Sequence, residues 1–283
     1  MSDTTSRIVL ITGASSGFGL LTSLTLAKEN HHVIATVRSE QKRDELMRKA
    51  QEAGVIANLD VRLLEVTDFS AIPSLVASLI QDYGRIDVLI NNAGFASGGF
   101  IEDITLSSWQ EQFNTNFFGV VALSKAVLPS MRNQNKGLII NISSVSAMLG
   151  FPGMGPYSAS KFAVEGFSEA LRLEMKPYQV DVVLIEPASY KTGIWSTGLE
   201  RSTLRDDSAY KKRIDGLRQD VETIARTSGD PSEVAALIQR IIRARKPKLR
   251  YPIGKGARSL SLAKRLLPFS LFEYFLTKNQ SAK

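Results

Sequence analysis

The chain has 283 residues, 43% of them apolar and 22% charged, with 20 Gly, 10 Pro and no Cys, which supplies a large core and excludes disordered, collagenous and disulfide-stapled proteins. Without Cys there are no thiol nucleophiles, iron–sulfur clusters or thiolate zinc sites. The only imidazoles, adjacent His31 and His32, have no carboxylate at metal-ligand spacing, so no metal is expected and acid–base chemistry falls to Tyr, Lys or carboxylates. The net charge of +7 is uneven: residues 1–200 hold 16 basic and 20 acidic side chains, residues 201–283 hold 19 and 8.

In chain order, nearly continuous apolar runs at 7–12 (RIVLIT), 32–37, 61–66, 86–91, 138–143 and 180–186 read as buried strands. Segments with helical spacing at 18–30, 40–53, 69–83, 108–132 and 157–176 lie between them. This alternation predicts an α/β fold, a doubly wound parallel sheet of Rossmann-like type in a single domain. Residues 189–227 are polar and too long for an ordinary connection, which suits a substrate lid. Asp230 as N-cap, Pro231 in the first helical position and Glu233 closing a capping box predict a helix through Ile242. A seventh strand is expected at 249–253, and helix broken at Pro268 over 259–276, so that 256–283 forms a C-terminal helical extension. No charged head precedes an apolar stretch near the N-terminus, and no run reaches the length of a membrane span, so a soluble cytoplasmic protein is expected. The basic run Arg240, Arg243, Arg245, Lys246, Lys248 and Arg250 reads as a solvated face, with no nucleic-acid partner.

The first strand leads directly into Thr12-Gly13-Ala14-Ser15-Ser16-Gly17-Phe18-Gly19 and then a helix. A glycine-rich turn there lets backbone N–H groups and the helix N-terminus face a pyrophosphate. The same letters match the G-x-S-x-G nucleophile elbow, but that reading needs a His far downstream, and His31 and His32 come only 16 and 17 residues after Ser15. At the end of the second strand, where an acid would bind a ribose 2′-hydroxyl, stand Arg38 and Ser39, with Lys42 and Arg43 at the next helix start. A guanidinium there favours a 2′-phosphate, hence NADP(H) over NAD(H).

Further chemistry sits at strand ends and on flanking helices: Asn91-Asn92-Ala93-Gly94, Ser143-Ser144, and Tyr157 four residues before Lys161. That spacing puts phenol and ammonium on one helix face, and the cation favours the phenolate. Asn116 places an amide on the apolar stripe Trp109, Phe113, Val120, Leu123 and Val127, where it needs partners. Singly, each has a bland reading: a core amide, a loop serine, a packed aromatic.

Together, in this order, and with Ser144 lying 13 residues before Tyr157, these motifs resemble those of the short-chain dehydrogenase/reductase family over about residues 7–192. The Lys248-Leu249-Arg250-Tyr251-Pro252 stretch and leucine-rich tail are similar, more faintly, to the steroid and retinol dehydrogenase branch. The resemblance implies an oxidoreductase interconverting an alcohol with its ketone or aldehyde. Tyr157 would exchange the proton, Lys161 lower its pKa and hold the nicotinamide ribose, Ser144 bond the carbonyl, and Asn116 support a water path. It implies cofactor contacts at Gly13, Ser15, Ser16, Phe18, Gly19, Arg38, Ser39, Glu65, Val66, Asn92, Ala93, Gly94, Tyr157, Lys161, Pro187, Ala188 and Thr192. Two positions depart from the family pattern: Ala188 stands for the Gly of PGxxxT, which could crowd the nicotinamide end, and Glu65 for an Asp that contacts adenine.

Apolar candidate walls at 95–101, 148–154 and 189–195 suggest a lipophilic substrate of steroid, retinoid or fatty type. Helices 108–132 and 157–176 would join copies into a homodimer or homotetramer, as the family does. For the basic, leucine- and phenylalanine-rich tail, peripheral contact with an anionic membrane is one expectation and packing over the pocket or a second subunit the other. The rival function is a cofactor-sensing regulator without turnover, against which Ser144, Tyr157 and Lys161 speak.

Overall fold

The computed structural model describes residues 6–194, 208–214, 216, 223 and 227–281, so that most of the stretch expected as a lid, and Trp195 with it, lies outside the described residues. Seven parallel strands, β1 (Ile8–Ile11), β2 (His32–Val37), β3 (Leu59–Leu63), β4 (Val88–Asn91), β5 (Gly137–Ile142), β6 (Val180–Pro187) and β7 (Arg250–Ile253), form one sheet in the order β3-β2-β1-β4-β5-β6-β7. Successive side chains leave a strand on opposite faces, so apolar runs feed two cores. Val9, Ile11, Val33 and Ile90 meet helices α1 (Gly17–Lys28), α2 (Glu40–Glu52) and α7 (Ser232–Ile242). Leu10, Ile34, Leu89 and Ile139 meet α3 (Ala71–Tyr83), α5 (Gly119–Asn133) and α6 (Gly155–Met175) on the other side. This is the doubly wound, Rossmann-like arrangement the alternation predicts.

The long helix expected at 108–132 is interrupted. Helix α4 (Leu106–Phe113) passes through a π turn, Asn114–Phe118, before α5 begins. The wider turn carries Asn116. The capping box at 230–233 forms only by half: Asp230 Oδ1 accepts from Ser232 N at 2.9 Å, and the helix starts at Ser232, not Pro231. Glu233 does not reach back to close the box; its carboxylate accepts from the buried Tyr190 hydroxyl at 3.0 Å and ties the chain after β6 to α7. The basic run is likewise not all solvated: Arg243 pairs with Glu29, and Arg250 pairs with Glu165 and Glu169. The tail forms α8 (Ala257–Leu266) and α9 (Phe269–Ser281), separated at Pro268. Among the described residues no helix is long and apolar enough to cross a membrane.

A chain of buried amides fixes the register of β4 on β5 beneath the site. Asn91 pairs with Asn141 across the strands and donates to its Oδ1 at 2.8 Å, and Asn141 Nδ2 donates to Ser168 Oγ on α6 at 2.8 Å. Asn91 Oδ1 is buried without a partner among the described residues, so this amide is held through Nδ2 alone. Asn141→Leu should therefore strand Asn91 Nδ2 on a single weaker partner, Ser124 Oγ at 3.3 Å, and lower stability by about 2 to 4 kcal/mol in urea denaturation.

Candidate active site

β1 lies between β2 and β4, the point where the winding of the sheet reverses, and the loops leaving β1 and β4 part there. A cavity of about 500 Å³ opens between them. Its floor is stitched from both loops: Thr12 Oγ1 accepts from the backbone N–H groups of Asn92 (3.1 Å) and Ala93 (3.0 Å), and Asn92 Nδ2 donates to Thr12 O (2.8 Å) and Gly13 O (3.0 Å). The approach is so close that Gly13, at φ +66°, would bring a Cβ to 2.8 Å from Ala93 Cα. At Gly19 a side chain would strike Gly13 O and come within 2.6 Å of Asn92 Nδ2. Gly13, Ser15, Ser16 and Phe18 line the cavity, with Asn92, Ala93 and Gly94 opposite; Gly19 does not line it but lets the turn close behind it.

One end of the cavity is walled by Arg38, Glu65 and Val66. Among the described residues Arg38 has no hydrogen-bond or ion-pair partner and is exposed at this wall. The polar groups beside it have partners of their own on α2. Ser39 caps α2, its Oγ accepting from Lys42 N at 3.3 Å, and is not on the wall. Lys42 pairs with Glu45 at 3.0 Å and Arg43 with Glu40 at 2.7 Å, each one turn away on the same helix. Glu65 is exposed at the wall and accepts from Thr67 N at 3.4 Å.

The other end holds Ser144, Tyr157, Lys161, Pro187, Ala188 and Thr192, with Phe95, Ala96 and Met154 among its apolar walls. Ser144 caps the short 3-10 turn Val145–Ala147, its Oγ accepting from Ser146 N at 3.1 Å, and this holds the hydroxyl against Tyr157. Burial raises the Tyr157 phenol above its ordinary pKa, and the Ser144 hydrogen bond offsets part of that. Lys161 Nζ stands 5.8 Å from the Tyr157 ring centre and donates to Ile142 O at 2.7 Å. Burial pushes Lys161 down to about 8, opposed by the negative charge of Glu165. The Ala188 methyl lies against Gly254, where any side chain would come within 3.1 Å of it, and this glycine makes room for the departure from the family pattern.

Asn116 is fully buried and its amide is fully engaged. Oδ1 accepts from Phe95 N at 3.1 Å, while Nδ2 donates to Phe95 O at 2.9 Å and Ser160 Oγ at 3.2 Å. The side chain thus clamps the loop after β4 to α6, and the π turn is what presents it there.

A cluster that sequence reading missed lies behind Lys161. Arg250 Nε donates to Glu165 Oε2 at 2.9 Å and stands 3.5 Å from Glu186 Oε1, and the second carboxylate oxygen of Glu186 is buried without a partner among the described residues. Burial, with Glu165 beside it, pushes Glu186 up to about 7. The signal was present, since Glu165 follows Lys161 by one helical step, but Arg250 is 85 residues away.

The cavity fits an extended dinucleotide: glycines where backbone must approach a pyrophosphate, a free guanidinium at one end and the Ser–Tyr–Lys group at the other. Residues 7–202 match the short chain dehydrogenase family, and the chain belongs to it. It is 45% identical over 275 residues to the uncharacterized oxidoreductase YusZ of Bacillus subtilis, covering 96% of this chain and 98% of that one. It is 37% identical over 271 residues, 95% and 96% of the two chains, to a 3-ketodihydrosphingosine reductase of Bacteroides thetaiotaomicron. A short-chain dehydrogenase of Streptomyces avermitilis has the same fold, with a TM-score of 0.81, 30% identity, and 98% and 97% of the chains covered. The protein is thus an oxidoreductase of the short-chain dehydrogenase/reductase family.

Proposed function

We propose that this protein interconverts a lipophilic alcohol and its ketone or aldehyde with NADP(H), using Tyr157 as acid and base. The observation that carries the reading is the meeting of Ser144, Tyr157 and Lys161 at one end of a cavity whose other end begins at the glycine-rich turn. A bound nicotinamide supplies or accepts the hydride. The chain's part is to place the substrate oxygen between Ser144 Oγ and the Tyr157 hydroxyl, and to move a proton at that hydroxyl. Lys161 lends its positive charge to the phenolate and is the residue we assign to the nicotinamide ribose, with Asn92, Ala93, Gly94, Pro187, Ala188 and Thr192 around it.

Phe95, Ala96, Met154 and Ile194 on the substrate side favour an apolar substrate, and the relative named for 3-ketodihydrosphingosine, a long-chain ketone, supports that class. Exposed Phe118, at the end of the π turn before α5, and Phe162 and Leu173 on α6 supply the faces for a second copy. The tail supports a lipid source for the substrate. Leu262, Leu266, Phe269 and Phe275 are each more than half exposed, Lys264 lies over the Phe269 ring, and α8 packs against the 3-10 turn that follows Ser144. Such a basic, apolar helix pair beside the substrate end is suited to an anionic bilayer surface.

Tyr157→Phe should lower turnover of long-chain ketones at least a hundredfold, read by loss of nicotinamide absorbance, while cofactor affinity stays within about twofold. A regulator without turnover would show no such activity in the unaltered protein. For the cofactor, the Arg38 guanidinium at the cavity wall, without a partner among the described residues, predicts at least about tenfold higher kcat/KM with NADP(H) than NAD(H), and Arg38→Asp should reverse the order. Membrane docking is read by sedimentation with phosphatidylglycerol-containing vesicles: the full chain should pellet at low salt, less at high salt, and not at all once the residues after Gly256 are removed.

A further inference from the structure

The buried charges behind Lys161 have no part in the proton chemistry just described, yet their geometry gives them one. Tyr157, Lys161, Glu165 and Glu169 follow one another at four-residue steps on α6 and share a face. The first three are buried, and Glu169 is at the surface. A buried ammonium with Ile142 O as its hydrogen-bond acceptor is poorly compensated for lost hydration. Glu165, one helical step further in, carries the opposite charge that favours the ammonium.

Glu165 can do this only while ionised, although burial and the neighbouring Glu169 favour its protonation. Two groups oppose that. Arg250, brought over from β7, bonds its Oε2 at 2.9 Å, and the nearby Ser143 hydroxyl at the end of β5 also favours the carboxylate, although Glu165 Oε1 is buried without a hydrogen-bond partner among the described residues. Glu186 at the end of β6 competes for the same guanidinium from 3.5 Å and is favoured in its neutral form, with Arg265 of α8 the other cation near it. The arrangement therefore shares one cation between two buried carboxylates, and the better-placed one keeps its charge beside Lys161.

Resting on the reading of Lys161 as the group that activates Tyr157, we propose that Glu165 is a positioning residue: held ionised by Arg250, it keeps Lys161 an ammonium and so sets the upper pH limit of activity. The competing explanation is purely mechanical, with Glu165 and Arg250 pinning β7 to α6. The two differ in what Lys161 feels.

The test follows the Lys161 side chain by NMR in the full chain labelled with ¹³C-lysine, its signal identified by its absence in Lys161→Met. Glu165→Gln should lower the Lys161 titration midpoint by about one pH unit or more, and the alkaline limb of kcat/KM for a long-chain ketone should fall by the same amount. Glu186→Gln opens the same cluster but removes a charge that exerts no resolved pull on Lys161, so the midpoint should stay within about 0.3 unit. Should Glu165→Gln fail to accumulate as folded protein, Glu165→Met fills the volume without a polar head and reads the same midpoint. An unchanged midpoint in the Glu165 variants, or an equal fall in Glu186→Gln, overturns the proposal. A midpoint that moves while the kinetic limb does not overturns the assignment of Lys161 as the activating group, and leaves its coupling to Glu165 standing.

Discussion

The closeness of two loops at the switch point of the sheet governs the rest of the molecule. Thr12 and Gly13 share four hydrogen bonds with Asn92 and Ala93 across the gap between β1 and β4, and the approach is so close that positions 13 and 19 tolerate no side chain. Peptide groups in such a junction have no room for water and must satisfy one another. The consequence is a tightly bonded floor under the cavity, with the N-terminus of α1 beginning beside it. From this floor the remaining parts are placed: Gly94 leads to Phe95, Phe95 to Asn116, and Asn116 to Ser160 on the helix that carries Tyr157 and Lys161. The reactive end is thus positioned through a continuous polar path from the glycine-rich turn.

Electrostatically the site is built against its own burial. Tyr157 and Lys161 are both removed from water, which favours the neutral phenol and the neutral amine alike. Local hydrogen bonds from Ser144 and to Ile142 O offset part of this cost, and the Glu165 carboxylate one helical step along α6 adds a longer-range field at Lys161. Arg250 matters here although it lies outside the cavity. It belongs to the edge strand β7, so the last strand of the sheet contributes charge as well as hydrogen bonds.

Much of the architecture was legible because parallel strands buried on both faces must be continuously apolar, and β1, β2, β4, β5 and β6 appear in the sequence as such runs. Tyr157 and Lys161 were legible as neighbours because helical spacing alone joins them. The interruption at Asn114–Phe118 was not, since the stripe from Trp109 to Val127 fits an uninterrupted helix and a π turn changes the count by a fraction of a turn. Nor were the ion pairs of Lys42 and Arg43 legible. Helix-neighbour carboxylates claim both, and only Arg38, outside the helix, escapes such a partner. The Arg250 cluster was hidden for another reason: its members come from three elements that meet only after the sheet has formed.

The π turn also makes the chain length between Leu106 and Asn133 a fixed quantity. Each residue rotates an α-helix by about 100°, so deleting one residue here and closing the turn into regular helix would swing Asn116 away from Phe95 if α5 kept its packing, or swing Leu123, Val127 and Met131 out of the core if Asn116 kept its clamp. No single-residue deletion satisfies both. In related chains this stretch should accept substitutions readily while resisting changes of length, and insertions should accumulate instead in the loops on either side of it.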